Sequence, residues 1–441
     1  MKRAMSNIKF SHAGLAAIFL FAGSPGVAQE HPQGFFLTSP LEISSGYDSK
    51  FITGPAQITD SVSIVTGPTM SWMGTTHRTD YSIAYTPEVE LFAHNPDLNS
   101  WNQSATMRMT HRINARWSLN FGDSYLDTTD SNRALVNSLL LLPRGRYREN
   151  TFYGELGYRL DHATRIKFRF DNTADTAALP GSFEGRLDYV TVAGTATVDR
   201  TLTPSQTLSG SYSFIHAMPL HPSVAGSPSD VHLLSATYTY EVNRGLLLRA
   251  SGGFVEGAEP AATGAFEVEK AFSGLWTAAG FQRYVGFFGG LLPVSDTPDV
   301  VQFANALAPN SVYEVVSLRG WGQLTKRLGM EAAGQKAING INAEGIGVRS
   351  LIGRLRLTYR LTGRYALFTE LGHYGQNFNQ FSGNRLSENR FFAGIQITLS
   401  RPPERENLRG RHGKTPQDSR RDILPPPEEP LAGDDNPELE N

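Results

Sequence analysis

Apolar and polar residues alternate with a period of two along most of the chain between positions 41 and 401. The clearest segment alternates as Arg354, Leu355, Arg356, Leu357, Thr358, Tyr359 and Arg360. Successive side chains of a β-strand point to opposite faces, so each such segment predicts a strand with one apolar and one polar face. The helical period of 3.6 residues fits none of these segments.

The connections between the predicted strands are alternately short and long. Short ones lie at 113–116, 160–163, 242–245 and 361–364, and long ones lie near 175–185, 217–229, 287–311 and 376–386. Outer-membrane barrels have short periplasmic turns and longer external loops. The sequence therefore predicts an all-β protein, a transmembrane antiparallel β-barrel of about 18 strands in the outer membrane of a Gram-negative cell.

The alternation also gives approximate strand bounds. The candidates are 41–49, 60–73, 79–92, 102–112, 116–127, 149–160, 164–173, 187–199, 206–216, 231–242, 244–255, 264–271, 274–286, 312–324, 327–338, 347–361, 364–375 and 388–400. A count of about 16 is the alternative, because the alternation is weak in 264–286. A soluble β-sandwich or β-helix would alternate as well, but a membrane barrel requires the apolar face that nearly every segment carries.

The two ends of the chain differ from this repeating part. Residues 1–28 have a basic start, a short apolar run and a small-residue end, which predicts a cleavable signal peptide. We expect an N-terminal periplasmic segment at 29–40, the barrel at 41–400, and a disordered periplasmic tail at 401–441, where Arg, Pro and acidic residues replace the apolar ones. A periplasmic partner of the tail is one prediction, and a solvated tail without a partner is the other.

Several smaller features refine this prediction. Short helices are expected in two outer loops, at 130–143 and 297–309, either packed on the rim or folded into the lumen. Pro68 and Pro87 fall inside strand candidates, so we expect bulges or strand ends there. Asp123 falls on the apolar phase of its strand and is expected above the bilayer edge.

Composition and motifs argue against catalysis. The chain has no cysteine and a net charge of -2, so neither disulfides nor a general attraction to nucleic acid is expected. The sequence lacks the serine-hydrolase, zinc-protease and phosphate-binding motifs, so we predict no catalytic residues, no cofactor and no metal. A calcium site at Asp127, Asp130 and Asn132 is the weaker alternative.

The polar phase of the strands is the strongest candidate for a functional surface. The basic residues predicted to line the lumen are Arg108, Arg112, Arg116, Arg159, Arg165, Lys167, Arg169, Arg354, Arg356 and Arg360, with Arg249 and Arg319 extending the set. The acidic ones are Glu155, Glu267, Glu269, Glu331 and Glu370. Rings of Arg and Lys favour anions in pores, whereas cross-strand Arg–Glu pairs would neutralise that field. Both interpretations stay open on the sequence alone.

Short motifs add a resemblance. The matching stretches are PLEISSGYD at 40–48, YTP at 85–87, LNFGD at 119–123, DSNR at 130–133 and the final strand at 389–401. With these the chain resembles a class of outer-membrane β-barrel proteins encoded with exopolysaccharide production and export systems. It departs from ordinary porins because a long tail follows the last strand.

These features together predict a function in transport. The first hypothesis is a porin-like conduit, in contact with outer-membrane lipid, for polar or anionic solutes, with a polysaccharide as the cargo that the resemblance implies. The alternative is a non-conducting barrel with a structural or surface-interaction role. An outer-membrane enzyme is the third and weakest hypothesis.

Overall fold

The computed structural model describes residues 34–53, 56–130, 144–178, 188–220, 229–243, 245–256, 260–286, 311–339, 348–378 and 385–399. Nearly all of these residues lie in antiparallel strands that belong to one sheet. Within these ranges the only helical element is a 3-10 turn at Pro96–Leu98, and no helix there is long and apolar enough to cross a membrane. The two predicted loop helices lie outside the described residues.

The strands follow one another in chain order. Their bounds are β1 Gly34–Leu37, β2 Leu41–Thr53, β3 Ala56–Thr66, β4 Met70–Thr75, β5 Thr79–Phe92, β6 Ser100–Arg112, β7 Trp117–Thr128, β8 Arg146–Arg159, β9 Thr164–Ala178, β10 Tyr189–Thr203, β11 Gln206–Pro219, β12 Ser229–Asn243, β13 Leu246–Glu256, β14 Ala261–Ala271, β15 Leu275–Gly286, β16 Ser311–Gln323, β17 Leu328–Asn339, β18 Val348–Arg360, β19 Tyr365–Phe378 and β20 Arg385–Ile397.

The sheet closes on itself as an 18-stranded antiparallel barrel. β1 and β2 form one interrupted barrel strand, and β3 and β4 form the next, because β1 pairs with β4 while β2 pairs with β3. β2 also pairs with β20, which joins the first barrel strand to the last and closes the sheet. The predicted fold class is confirmed, and the separate strands β14 and β15 settle the count at 18 rather than 16.

The interruption between β3 and β4 has a local cause in two prolines. Pro68 lies in the gap itself, as predicted, whereas Pro87 lies inside β5. The carbonyl of Pro87 accepts a hydrogen bond from the backbone N–H of Gly67 at 2.8 Å, so the missing N–H of Pro87 faces the gap. The ladder therefore breaks where β5 has no donor to offer.

The two faces of the barrel differ in chemistry. Large apolar side chains that stay exposed on the outward face include Trp72, Trp101, Phe168, Phe170, Tyr212, Phe214, Leu234, Phe254, Phe266, Phe281, Leu318, Leu351, Leu371 and Phe391. Cross-strand pairs such as Phe391 with Leu371 and Phe281 with Phe266 keep these residues on one phase around the barrel. A closed barrel with an apolar outer face spans a bilayer, and single-chain barrels with an even number of strands are proteins of the bacterial outer membrane.

The structure departs from the predicted bounds at the first strand. Pairing begins at Gly34, where β1 adds to the sheet beside Met73 of β4. This stretch belongs to the predicted periplasmic segment 29–40, ahead of the predicted barrel. The short β1 has little alternation of its own, since Gly34–Leu37 reads GFFL, and its pairing depends on the partner strand. The predicted signal peptide and tail lie outside the described residues.

Candidate functional site: the charged lumen

The hydrogen-bond register decides which side chains face the lumen. Residues directly paired across two antiparallel strands lie on the same face, so the phase can be followed strand by strand from the exposed apolar belt. All the residues predicted to line the lumen fall on the inward phase except Arg116, which lies in the tight turn after β6. The pairs Arg165 with Arg159 and Glu267 with Arg249 show how neighbouring strands share this face.

Many of these charged residues lie at one level of the barrel. They occupy the fourth to seventh position from the periplasmic end of their strands. We call this set the charged belt, and it consists of Arg108, Glu155, Lys167, Arg169, Arg249, Glu267, Arg319, Glu331, Arg354, Arg356 and Glu370. A solute that crosses the lumen would pass all of them within a short stretch of the axis.

One side of the belt, on β13 to β19, is a ladder of ion pairs. Glu267 accepts hydrogen bonds from Arg319 at 2.9 Å and from Arg249 at 3.4 Å. Glu370 lies 2.9 Å from Arg354 and 3.5 Å from Arg356. Each of these carboxylates is shared by two guanidiniums, so the four arginines of this wall are balanced only when Glu331 and Glu42 are counted with Glu267 and Glu370. On this side of the belt the arginines form cross-strand pairs with glutamates, which is one of the two interpretations that the sequence leaves open.

The ladder continues to the closing seam of the barrel. Arg356 also binds Glu42 of β2 at 2.8 Å, and its guanidinium lies 4.2 Å from the ring centre of Phe368. Gln396 of β20 donates to the same carboxylate at 2.6 Å. Glu42 was not among the predicted lumen residues. Its salt bridge holds the Arg356 side chain against the barrel wall.

The opposite side of the belt, on β6 to β9, is different. Lys167 lies 3.2 Å from Asp199, and Arg169 binds Asp171 at 2.9 Å. Arg108 of the belt, by contrast, forms no salt bridge with any residue that the structure describes, and neither does Arg165, which lies below the belt and is paired in register with Asp199. Nearer the periplasmic mouth, the same holds within the described ranges for Arg112, Arg116, Arg159 and Arg360. This side therefore keeps positive charge that is not cancelled locally.

The remaining predicted acidic residues are placed unevenly. Glu155 accepts a hydrogen bond from the Asn120 amide at 3.0 Å, and Glu269 is buried with 4% exposure. Glu331 is paired in register with Arg356, yet no salt bridge joins the two side chains. The acidic residues are thus spread around the lumen and do not converge on one point.

A second group of charges lies toward the external end, and we call it the Arg390 cluster. Arg390 of β20 binds Asp130 at 2.8 and 3.0 Å, Glu388 at 2.6 Å and Asp48 of β2 at 3.1 Å. Arg144 completes the cluster, since it contacts Glu90 of β5 and lies 3.8 Å from Asp48. Every member is nearly or fully buried.

The cluster fixes the two ends of the connection between β7 and β8. Asp130 follows β7 and Arg144 precedes β8, and both side chains contact inward-facing residues of the wall formed by β20, β2 and β5. Arg144 also lies 4.7 Å from the ring centre of Phe92, beside the packed side chains of Val62 and Phe392. The ends of this connection therefore lie inside the lumen and reduce its cross-section.

The sequence does not predict that these residues come together in one cluster. Asp48, Glu90 and Arg390 all lie on polar phases, but they are far apart in the chain, so no local spacing joins them. The calcium alternative is wrong for the two acidic residues that the structure describes. Asp130 binds Arg390, whereas Asp127 lies on the outward phase and binds Arg146 at 2.7 Å.

Asp123, the acidic residue on the apolar phase of β7, has a local partner. Asn150 of β8 donates its amide to the Asp123 carboxylate at 2.9 Å. The neighbouring positions on this phase are Met107 and Phe152, so the pair lies on the outward face. A polar neighbour on the same face reduces the cost of placing a carboxylate there.

Parts of the inward face are buried rather than open to solvent. Val231, Val255 and Val315 are inward-facing in register, yet they are only 1 to 2% exposed. Ile215 and Leu233 pack with Val231 in an apolar cluster on the same side. The lumen on this side is therefore partly filled at the external half.

The comparisons with known proteins find only distant similarities. No protein-family model and no curated protein matches the sequence. Among solved structures, the chain is similar to OccK10 (OpdN) of Pseudomonas aeruginosa, with 14% identity, a TM-score of 0.43, and 84% of this chain and 100% of that chain covered. It is similar to a BenF-like porin of Pseudomonas fluorescens Pf-5, with 11% identity, a TM-score of 0.46 and coverage of 83% and 98%. OccAB4 of Acinetobacter baumannii has 8% identity, a TM-score of 0.44 and coverage of 83% and 98%. Scores and identities this low do not assign the chain to a family.

Proposed function

We propose that the protein is a passive conduit of the outer membrane for small polar solutes, and that it prefers anions. The observation that carries this proposal is the asymmetry of the charged belt. Arg108 of the belt and Arg165 just below it form no salt bridge with a described residue, although Asp199 is paired in register with Arg165, while the four arginines of the facing wall are balanced by Glu42, Glu267, Glu331 and Glu370. Unpaired basic residues in a pore attract anions.

The size of the barrel supports conduction. Barrels of 16 to 18 strands enclose a lumen wide enough for water unless loops fill it. The Arg390 cluster lies above the charged belt, so a solute entering from outside passes the narrowed level first and the basic wall second. The narrowed level limits the size of the solute, and the basic wall below it favours polar solutes that carry negative charge.

The proposal predicts stepwise conductance in planar bilayers. With a salt gradient across the membrane, the reversal potential should have the sign of anion preference. The double variant Arg108→Gln/Arg165→Gln should lower the ratio of anion to cation permeability. A unit charge about 4 Å from an ion in water contributes ~1 kcal/mol, so each neutralisation changes the local anion concentration up to about fivefold.

A matched control comes from the neighbouring strand. Arg200 of β10 is paired in register with Thr164, one position from Arg165, and it lies on the outward phase. Arg200→Gln removes the same charge at the same level without changing the lumen. If Arg200→Gln and Arg165→Gln shifted the reversal potential equally, the lumen wall would not be the source of selectivity.

A non-conducting barrel is the second candidate, and the burial of inward-facing Val231, Val255 and Val315 favours it. A bilayer that stays silent with correctly folded protein would support this candidate against the conduit. Export of an exopolysaccharide is the narrower version of the first proposal, and it depends only on the sequence resemblance. Its test is whether added polysaccharide blocks the open channel.

A further inference from the structure

A cavity lies on the periplasmic rim, apart from the charged belt. Its volume is about 160 Å³, and three arginines from neighbouring strands and turns line it. Arg327 comes from the turn between β16 and β17, Arg360 ends β18, and Arg364 lies in the turn that follows. We call it the rim cavity.

The main chain around the rim cavity is held in place by hydrogen bonds. The backbone N–H of Arg360 donates to the carbonyl of Arg327 at 2.8 Å, and the N–H of Thr398 donates to the carbonyl of Arg364 at 2.8 Å. The Thr362 hydroxyl oxygen accepts the N–H of Arg364 at 3.1 Å. These hydrogen bonds fix the backbone positions from which the three arginine side chains extend.

The three guanidiniums have no carboxylate partner among the described residues. Within the described ranges, Arg327, Arg360 and Arg364 form no salt bridge. Glu42, the nearby carboxylate, is already bound by Arg356 at 2.8 Å and by Gln396 at 2.6 Å. Three unpaired guanidiniums around one cavity suit a carboxylate ligand, because Arg binds carboxylates through paired N–H donors.

The rest of the periplasmic rim is basic as well. Its described tight turns carry Arg78, Arg116 and Lys326 in addition to Arg327 and Arg364. The single acidic residue in these turns, Asp161, accepts the backbone N–H groups of Ala163 and Thr164 at 2.7 Å each. These hydrogen bonds, that from Ala163 first, hold the pKa of Asp161 below its ordinary value, so its charge stabilises its own turn.

The chain itself supplies an acidic segment at this place. Thr398 lines the rim cavity just after β20 ends, so the last described residues of the chain lie beside it. Residues 422–441 carry seven acidic side chains and no basic one. We propose that this acidic segment binds in the rim cavity, with Arg327, Arg360 and Arg364 as its carboxylate receptors. The proposal is independent of whether the barrel conducts.

The reach of the chain allows this contact. A flexible segment of n residues spans roughly 5–6 Å times the square root of n, which is about 30–35 Å for the stretch between positions 399 and 436. Because the tether starts at the rim, the local concentration of the acidic segment is in the millimolar range. The competing partner is the stretch 401–421 of the same tail, which carries seven basic and three acidic residues.

The absence of cysteine allows a direct test with spin labels on the full-length mature protein. Lys326→Cys places one label next to the rim cavity without removing a lining residue, and Asn436→Cys places the second label in the acidic segment. We expect a narrow distribution of distances shorter than that of a free tail. A broad distribution around roughly 30–35 Å would overturn the proposal.

Two charge variants locate the binding site. The triple variant Arg327→Glu/Arg360→Glu/Arg364→Glu should abolish the narrow peak. The control Arg78→Glu/Arg116→Glu/Arg200→Glu changes the net charge equally and leaves the rim cavity intact, so the peak should persist. Loss of the peak in both variants, or its survival in the first, would contradict a site at the rim cavity.

A tail variant keeps the test valid if the triple variant fails to fold. Changing Glu428, Glu429, Asp434, Asp435, Glu438 and Glu440 to amides leaves the barrel untouched and should also abolish the peak. A second label pair, Asn407→Cys with Asn436→Cys, reports the competing contact within the tail. A short distance there together with a broad one to position 326 would overturn the proposal.

Discussion

The Arg390 cluster gives the sharpest prediction about stability. Arg390→Gln removes one cation from a buried group in which the described residues supply four carboxylates, those of Asp48, Glu90, Asp130 and Glu388, and one other guanidinium, that of Arg144. Arg390 is 12% exposed and its three carboxylate partners are 2 to 4% exposed. Water therefore cannot replace the lost partner without a structural change.

The expected magnitude follows from this burial. Removal of one partner from a buried ion pair costs about 3–5 kcal/mol, because it leaves an uncompensated charge in a low-dielectric site. The matched control is Arg354→Gln, on the same inward face, where Arg354 binds Glu370 at 2.9 Å but is 46% exposed. An exposed pair contributes about 0–1 kcal/mol. The two substitutions are chemically identical, so the difference isolates burial.

The measurement is unfolding by urea in lipid vesicles, followed by tryptophan fluorescence and by heat-dependent mobility on gels. The double variant Arg390→Gln/Asp130→Asn should recover part of the loss, because it removes one of the stranded carboxylates. Equal destabilisation by Arg390→Gln and Arg354→Gln, or no recovery in the double variant, would refute the reasoning.

Two further predictions test the two faces and the seam. Leu318→Arg places a charge on the outward face, where Leu318 is 63% exposed to lipid, and should destabilise the barrel by about 2–4 kcal/mol in the same unfolding assay, whereas the inward-facing neighbour Ser317→Arg should cost much less. A Cβ at Gly46 would overlap the carbonyl oxygen of Phe391 at the closing seam, so Gly46→Ala should cost about 1–3 kcal/mol and lower the folded fraction on gels. Gly353→Ala, where a Cβ meets no atom within 4 Å, is the matched control, and equal effects of the two glycine variants would argue against a tight seam.

The fold was predictable because the alternation is a local property of each strand. The stretch around Arg354, Leu355 and Arg356 shows its two faces within three residues, and the register agrees with both. The missed β1 shows the limit of this signal. Four residues that read GFFL carry no alternation, and only the partner strand β4 shows that they pair.

The lumen face was predictable, but the partners on it were not. The alternation along each strand shows that Arg354 and Arg108 face the lumen. It does not show which strand supplies a carboxylate at the same level along the barrel axis. That depends on the stagger between strands, which is fixed by the closed sheet as a whole. Arg356 meets Glu42, more than three hundred positions away in the chain, across the seam. No sequence spacing could have indicated that contact.

The Arg390 cluster links closure of the barrel to the narrowing of its lumen. Asp48 lies on β2 and Arg390 lies on β20, so their ion pair spans the seam between the first and last barrel strands. Asp130 and Arg144, at the ends of the connection between β7 and β8, bind to that same pair. Asp130 therefore reaches Arg390 only when the first and last barrel strands meet, whereas Arg144 also binds Glu90 of β5, away from the seam. It follows that closure of the barrel brings Asp130 to its inward position, so this end of the connection narrows the lumen through the residues that join the first and last barrel strands.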